Sequence, residues 1–190
     1  MIKNDVLKDK FLYDYQKKGV LTLVEKRTVL LADDMGLGKT VQALVAAETL
    51  FQMGAISRIL IICPNPVVTN WKREAEKWTN RNSLLYKGEN RYGLLEHSKA
   101  PIFITTINTI VNDWQKISNK GNNFFETNFD LIIVDEAQKL KNPNSVSSKT
   151  LTKAISTRRW ALTGTPLENR PEELGAILRF LEPNEFPDGD

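Results

Sequence analysis

The run LLADDMGLGKTVQA, Leu30 to Ala43, limits what this chain can become more than any other stretch. An apolar strand end, Val29 to Ala32, enters a loop closing on Gly36, Gly38, Lys39 and Thr40, and a helical pattern follows at once. Such a loop curls with its N–H groups pointing inward around phosphate oxygens, and glycine reaches those conformations without a Cβ clash. The helix beginning near Lys39 adds the positive end of its dipole. The residues expected around the phosphates are Asp34, Met35, Gly36, Leu37, Gly38, Lys39, Thr40 and Val41. In that role Lys39 reaches the β- and γ-phosphates and the Thr40 hydroxyl ligates Mg²⁺. The spacing departs from the strict G-x-x-x-x-G-K-[ST] pattern, because Asp33 stands at the first glycine position. A glycine-rich turn with an ordinary surface lysine is the plain alternative; strand, loop, GKT and helix in succession argue against it.

A second stretch belongs to the same crevice. Leu131 to Val134 (LIIV) is the most apolar strand pattern and delivers Asp135 and Glu136 at its carboxyl end. In an open α/β sheet ligands sit beyond the carboxyl ends of the strands, which is also where the phosphate loop lies. Asp135 suits a Mg²⁺ ligand and Glu136 a group that orients or deprotonates an attacking water. The lesser reading is a pair of acids capping the next turn.

The remaining periodicities build a frame around these two stretches. Ile59 to Cys63, Pro101 to Thr105 and Arg159 to Leu162 read as buried strands, with a shorter one at Ser83 to Tyr86. Helical patterns are expected over residues 11–25, 40–52, 67–78, 91–97, 107–117, 144–155 and from Glu172, the last with Leu174, Ile177, Leu178 and Leu181 inward. On the fifth of these Ile107, Ile110, Val111, Trp114 and Ile117 form the inward face, and Trp71 and Trp78 read as core. Ser118 to Asn128 reads as a loop, and Thr163, Gly164 and Thr165 suit a turn near the nucleotide. Strands alternating with helices predict an α/β fold: a doubly wound, mostly parallel sheet with helices on both faces. Residues 1–183 form one domain and 184–190 a linker-like tail.

Bulk properties narrow the class. The 190 residues suffice for one core that buries roughly 70% of the unfolded surface. No apolar run approaches the ~20 residues of a membrane span, so no membrane partner is expected. Cys63 is the lone cysteine, which excludes a disulfide framework and points to a reducing interior, cytoplasm or nucleus. With 26 basic against 23 acidic residues, the net charge of +3 does not by itself mark a nucleic-acid binder. His97 is the only histidine and reads as a surface residue. Gln16, on the first helix, is either a packing residue or an amide that reads an adenine edge.

With these residues in place the chain resembles the Swi/Snf-type ATPases of helicase superfamily two. LYDYQKKGV looks like that family's Q motif, LADDMGLGKT its motif I, ICPNPVVTNWKREAEKW its motif Ia, TTINTI its motif Ib, IIVDEAQKLKN its motif II and LTGTPLEN its motif III. The resemblance implies a three-layer RecA-like lobe that binds ATP and Mg²⁺, with Gln16 on the adenine. Catalysis would fall to Lys39, Asp135 and Glu136. An acidic residue at the first glycine position is usual in the family, so Asp33 is no anomaly. DNA would meet Pro64, Thr69, Asn70, Thr105, Thr106, Lys141 and Asn142, and coupling would run through Gln138, Thr163, Gly164 and Thr165. Gln138 replaces the family's more frequent histidine, and Asn108 stands where an aromatic is frequent. The implied partner is double-stranded DNA, bound through its backbone.

A second RecA-like lobe would supply finger arginines worth about 10³–10⁵ in rate, so this monomeric lobe alone is expected to hydrolyse ATP poorly. RNA helicases and restriction-type motors share the phosphate loop and acid pair. A non-catalytic, nucleotide-gated binding module is the reading from another class.

Overall fold

The computed structural model describes residues 11–116, 127–140, 142–164 and 171–186. Among the described residues there are six strands, β1 (Thr28–Leu31), β2 (Ile59–Ile62), β3 (Ser83–Leu85), β4 (Ile102–Thr105), β5 (Phe129–Val134) and β6 (Ser156–Leu162). Seven helices connect or flank them: α1 (Asp14–Glu25), α2 (Lys39–Gln52), α3 (Val68–Thr79), α4 (Arg91–His97), α5 (Ile107–Lys116), α6 (Val146–Lys153) and α7 (Pro171–Leu181). Short 3₁₀ turns lie at Asn65–Val67 and Ala137–Leu140.

The strand order is β1-β6-β5-β2-β4-β3, and every neighbouring pair is parallel. From β1 to β3 the chain travels one way across the sheet, and from β3 to β6 it returns. Right-handed crossovers then place α2 and α3 on one face and α5 and α6 on the other. Strand side chains divide accordingly. Ile59, Ile61, Leu131, Ile133, Trp160 and Leu162 pack in the core beneath α1 to α3. Leu60, Ile62, Phe103, Ile132, Val134 and Ala161 pack in the opposite core with residues of α6 and α7. Both faces being covered, the strands read as unbroken apolar runs rather than alternating ones.

Helix ends follow local chemistry. Gly54 takes φ 68° just past α2, where its N–H bonds the Phe51 carbonyl at 3.1 Å and the Ala55 N–H bonds Leu50 at 2.9 Å. Ser145 caps α6, its hydroxyl accepting from the Ser148 N–H at 3.2 Å. The buried guanidinium of Arg159 donates from Nη1 to the carbonyls of Leu151 and Phe180, at 3.3 and 3.0 Å, and from Nη2 to Ala154. One cation thereby satisfies the last turns of both α6 and α7, and burial lowers its pKa from the ordinary value.

Two helix faces differ from the periodicity. On α5 the buried positions are Ile110 and Asp113, while Trp114 is 37% exposed. Asp113 turns inward because Tyr86, Arg91 and Tyr92 converge on it. On α7 the buried set is Glu173, Ala176, Ile177, Phe180 and Leu181, with Leu174 and Leu178 only half-buried. The helix is rotated toward Phe180, whose ring lies 5.5 Å from the Arg159 guanidinium carbon. Most of the expected loop from Ser118 falls outside the described residues.

Candidate functional site

β1 ends at Leu31 on the core, and the loop after it turns at two left-handed glycines, Gly36 at φ 83° and Gly38 at φ 75°. The left-handed backbone favours glycine at 38, and a Cβ there would stand 2.5 Å from Gln16 Nε2, so that amide would have to move away. Around Gly36 the space a Cβ would take is open. Two amides fix the loop from behind. Gln16 Nε2 and Gln42 Nε2 both donate to the Leu37 carbonyl, at 3.2 and 3.3 Å, and Gln42 Nε2 also lies 3.0 Å from the Asp33 carboxylate. Asp33 thus anchors the loop to α2. Gln42 is fully buried, and a Cβ on Gly19 would fall 1.8 Å from its Oε1, so glycine at 19 leaves room for the Gln42 amide between α1 and α2.

The Lys39 ammonium donates to the carbonyls of Asp33 and Asp34, at 2.7 and 2.9 Å, which holds its charge over the loop. Gly164, just past β6, comes against it: a Cβ there would be 3.2 Å from Lys39 Nζ and 2.7 Å from Met35 Cγ. Met35 and Leu37 are exposed, and Thr40 and Val41 are half-buried at the start of α2.

β5 carries the acids to the same end of the sheet. The Asp135 N–H continues the ladder to the Ile62 carbonyl at 2.8 Å. Its Oδ2 accepts from the indole of Trp71 at 2.8 Å and its Oδ1 from the Glu136 N–H at 2.9 Å. Burial, with the neighbouring Glu136 charge, holds the Asp135 pKa above its ordinary 3.8 despite those two donors and Lys39. Glu136 sits at φ 51°, left-handed for a residue with a side chain, a conformation that costs of order 1–3 kcal/mol and recurs at functional sites. Its carboxylate accepts from the Gln138 amide, and the other end of that amide accepts from the buried Thr163 hydroxyl at 2.7 Å. The Thr163 N–H bonds the Leu31 carbonyl at 3.0 Å. A continuous chain of contacts therefore runs from Glu136 through Gln138 and Thr163 to the strand that feeds the phosphate loop. Thr165 and Lys141 lie outside the described residues.

The face beyond β2 and β4 holds the other expected contacts. A cavity of about 150 Å³ opens there, lined by Cys63, Pro64, Thr106, Ile107, Asp135 and Leu140 among others. Thr69 and Asn70 are exposed at the start of α3, where Arg73 Nη2 braces Asn70 Oδ1 at 2.7 Å. The Thr106 hydroxyl accepts from the Thr109 N–H at 3.3 Å at the head of α5. Thr105 corrects the expectation: its side chain is buried and its hydroxyl donates to the Tyr86 carbonyl at 2.9 Å, so it offers nothing to a phosphate outside. Asn142 is exposed, with Oδ1 accepting from the Asn144 N–H at 2.7 Å. His97 is a surface side chain beside Glu96, as expected.

Sequence reasoning placed Trp71 in the core, where it lies, but missed its bond to Asp135, and it passed over Gln42. A buried indole or amide needs a hydrogen-bond partner, and both stand in otherwise apolar helix faces. That was the available signal. Burial pushes the Cys63 thiol, with help from the Asp135 charge, to about 12.

Comparison with known proteins agrees with this geometry. Residues 15–189 match the SNF2-related domain family. Chromodomain-helicase-DNA-binding protein 8 of Danio rerio and of Homo sapiens are each 33% identical over 197 residues, taking in 93% of this chain and 8% and 7% of theirs. Chromodomain-helicase-DNA-binding protein 6 of Mus musculus is 32% identical over 93% of this chain and 7% of its own. The chain therefore spans less than a tenth of these relatives' length. Among solved structures, the Sulfolobus solfataricus SWI2/SNF2 ATPase core in complex with dsDNA superposes with a TM-score of 0.80 at 31% identity, over 92% of this chain and 36% of that one. The all-parallel sheet with helices on both faces is the RecA-like arrangement that the motifs implied. Motif order, sheet topology and relatives agree: this chain belongs to the SNF2-related domain family.

Proposed function

We propose that this chain is the N-terminal ATP-binding lobe of a Snf-type motor that moves along duplex DNA. The observation that carries the reading is the Glu136–Gln138–Thr163 chain of contacts, with Gly164 set against Lys39, because it ties the acids to the phosphate loop. The loop N–H groups and Lys39 bind the nucleotide phosphates, and Gln16, whose Nε2 goes to the Leu37 carbonyl and whose Oε1 accepts from the Tyr13 N–H, exchanges those bonds for the adenine edge. The Thr40 hydroxyl and Asp135 carboxylate are hard oxygen donors that fit Mg²⁺. Among the described residues no three His, Cys, Asp or Glu side chains gather around one point, so the remaining ligands would be phosphate oxygens and water. When bound, the cation neutralises charge that builds up on the transferring phosphoryl group. Glu136 orients the attacking water and takes its proton.

Arg58, Arg81, Arg91, Arg158, Arg159 and Arg179 make their hydrogen bonds away from the loop, to Leu95, Glu48, Asp113, Val24, Leu151 and Pro143 respectively. The resemblance to the Snf-type ATPases implies that the finger arginine of a full motor comes from a second lobe. Pro64, Thr69, Asn70, Thr106, Asn142 and Lys141 would meet backbone phosphates, with affinity falling steeply as salt rises. The SWI2/SNF2 core that superposes on this chain was solved with dsDNA, which supports that partner.

The test is Mg²⁺-dependent ATP hydrolysis with duplex DNA, single-stranded DNA or RNA, on this chain and on a protein that joins it to a second lobe. Duplex DNA should stimulate the two-lobed protein most, and this chain alone should run at about 10⁻³ of that rate or less. Stronger stimulation by RNA or single strands would replace the reading with a helicase. No stimulation of either protein would replace it with a nucleotide-gated binding module.

A further inference from the structure

Trp71 is 1% exposed, and its indole Nε1 donates at 2.8 Å to Oδ2 of Asp135, 64 residues further along the chain. An indole has one donor and no acceptor, so its hydrogen bond is spent wholly on that acid. Immediately before it, Thr69 and Asn70 stand exposed at the start of the same helix. α3 is held as a body, with Val68, Trp71, Ala75 and Thr79 buried along its length. A displacement of its first turn carries the indole with it, and the contact to Asp135 is lost once it lengthens beyond about 3.5 Å.

We propose that Trp71 is a positioning residue that links duplex-DNA engagement at the start of α3 to the Asp135 carboxylate through this one N–H···O bond. The link rests on the reading given above, in which Thr69 and Asn70 meet the DNA backbone and Asp135 serves the nucleotide site. Backbone contact at Thr69 and Asn70 shifts α3, and the shift alters the bond that fixes Oδ2. The carboxylate is then presented differently to the nucleotide site. Linkage makes the effect reciprocal, so nucleotide binding changes DNA affinity by the same factor. Trp78, on the same helix, gives its indole N–H to Glu74 at 2.9 Å and supplies the control.

The direct test replaces Trp71 with 3-benzothienylalanine, which keeps the shape of the ring and loses the N–H; Trp71→Phe is the second variant. The readout is a ratio measured by calorimetry on the full chain: affinity for Mg-ATP with a saturating short duplex, divided by affinity without it. Melting temperature is recorded alongside. The wild-type ratio should lie at about 5- to 20-fold and fall to about 1 in both Trp71 variants, while Trp78→Phe keeps it. A purely structural Trp71 would lower the melting temperature and weaken each ligand alone while the ratio survived; that result, or a wild-type ratio of about 1, overturns the link. If Thr69→Ala and Asn70→Ala leave duplex affinity unchanged, the DNA reading of α3 falls and the link falls with it. If they weaken duplex binding and the isostere still keeps the ratio, only the link falls.

Discussion

At the β3–β4 edge of the sheet, Asp113 receives the phenols of Tyr86 and Tyr92, at 2.6 and 2.9 Å, and the guanidinium of Arg91. At the end of β5, Asp135 receives one indole and one backbone amide. Both acids are drawn out of water, yet only the first is given a full complement of donors and a paired cation. Asp113 is saturated and works as a knot that ties α5 to the β3–α4 connection. Burial and the Asp113 carboxylate raise the Tyr86 pKa, and the same carboxylate raises that of Arg91, so the phenol and the guanidinium both keep their protons across ordinary pH. Asp135 is left short of donors at the mouth of a crevice, and its raised pKa records the cost. A structural acid is satisfied within the fold; a working acid keeps capacity for something outside it.

The largest expected effect falls on the saturated acid. Asp113→Ala leaves the half-buried Arg91 and the two phenols without their acceptor, and denaturant unfolding should show a loss of about 3–5 kcal/mol, with nucleotide affinity unchanged. A nucleotide defect larger than the stability defect would break the distinction.

The under-satisfied acid should behave oppositely. Burial raises the pKa of Asp135, so its ionised form costs stability; the cost is absent at pH below its ordinary 3.8 and fully present once the pH passes the raised value. Without magnesium or nucleotide, Asp135→Asn escapes that cost but turns an amide donor toward the Trp71 indole or the Glu136 N–H, so its stability at neutral pH should stay within about 1 kcal/mol of the wild type while turnover in a two-lobed protein collapses. Destabilisation beyond that at neutral pH would mean that the carboxylate is itself part of the fold's support.

How much of this could be read from the sequence depends on how local each feature is. The strands were legible because LIIV, ILII and IFIT are buried on both faces and so unbroken in their hydrophobicity. The phosphate loop was legible because its glycines and Lys39 act within a few residues of one another. Periodicity failed on α5, where it sent Trp114 inward and Asp113 outward, because the partners that make burying an acid tolerable lie 21 to 27 residues away. It missed the Trp71–Asp135 and Gln138–Thr163 contacts for the same reason, since they join residues 64 and 25 apart. Thr105 was misjudged because the resemblance carries the DNA role onto the TTINTI stretch as a block, although the strand pattern reads Thr105 as buried, and there its hydroxyl goes to the Tyr86 carbonyl.

The central claim is that Lys39 and the glycine loop bind nucleotide phosphates, and the most direct measurement is calorimetric titration of Mg-ATP into the wild-type chain and into Lys39→Ala. Binding by the wild type and a loss of about 100-fold or more in the variant, with an unchanged melting temperature, is the predicted result. Equal affinity in the two proteins would contradict the phosphate-loop assignment and the motor built on it.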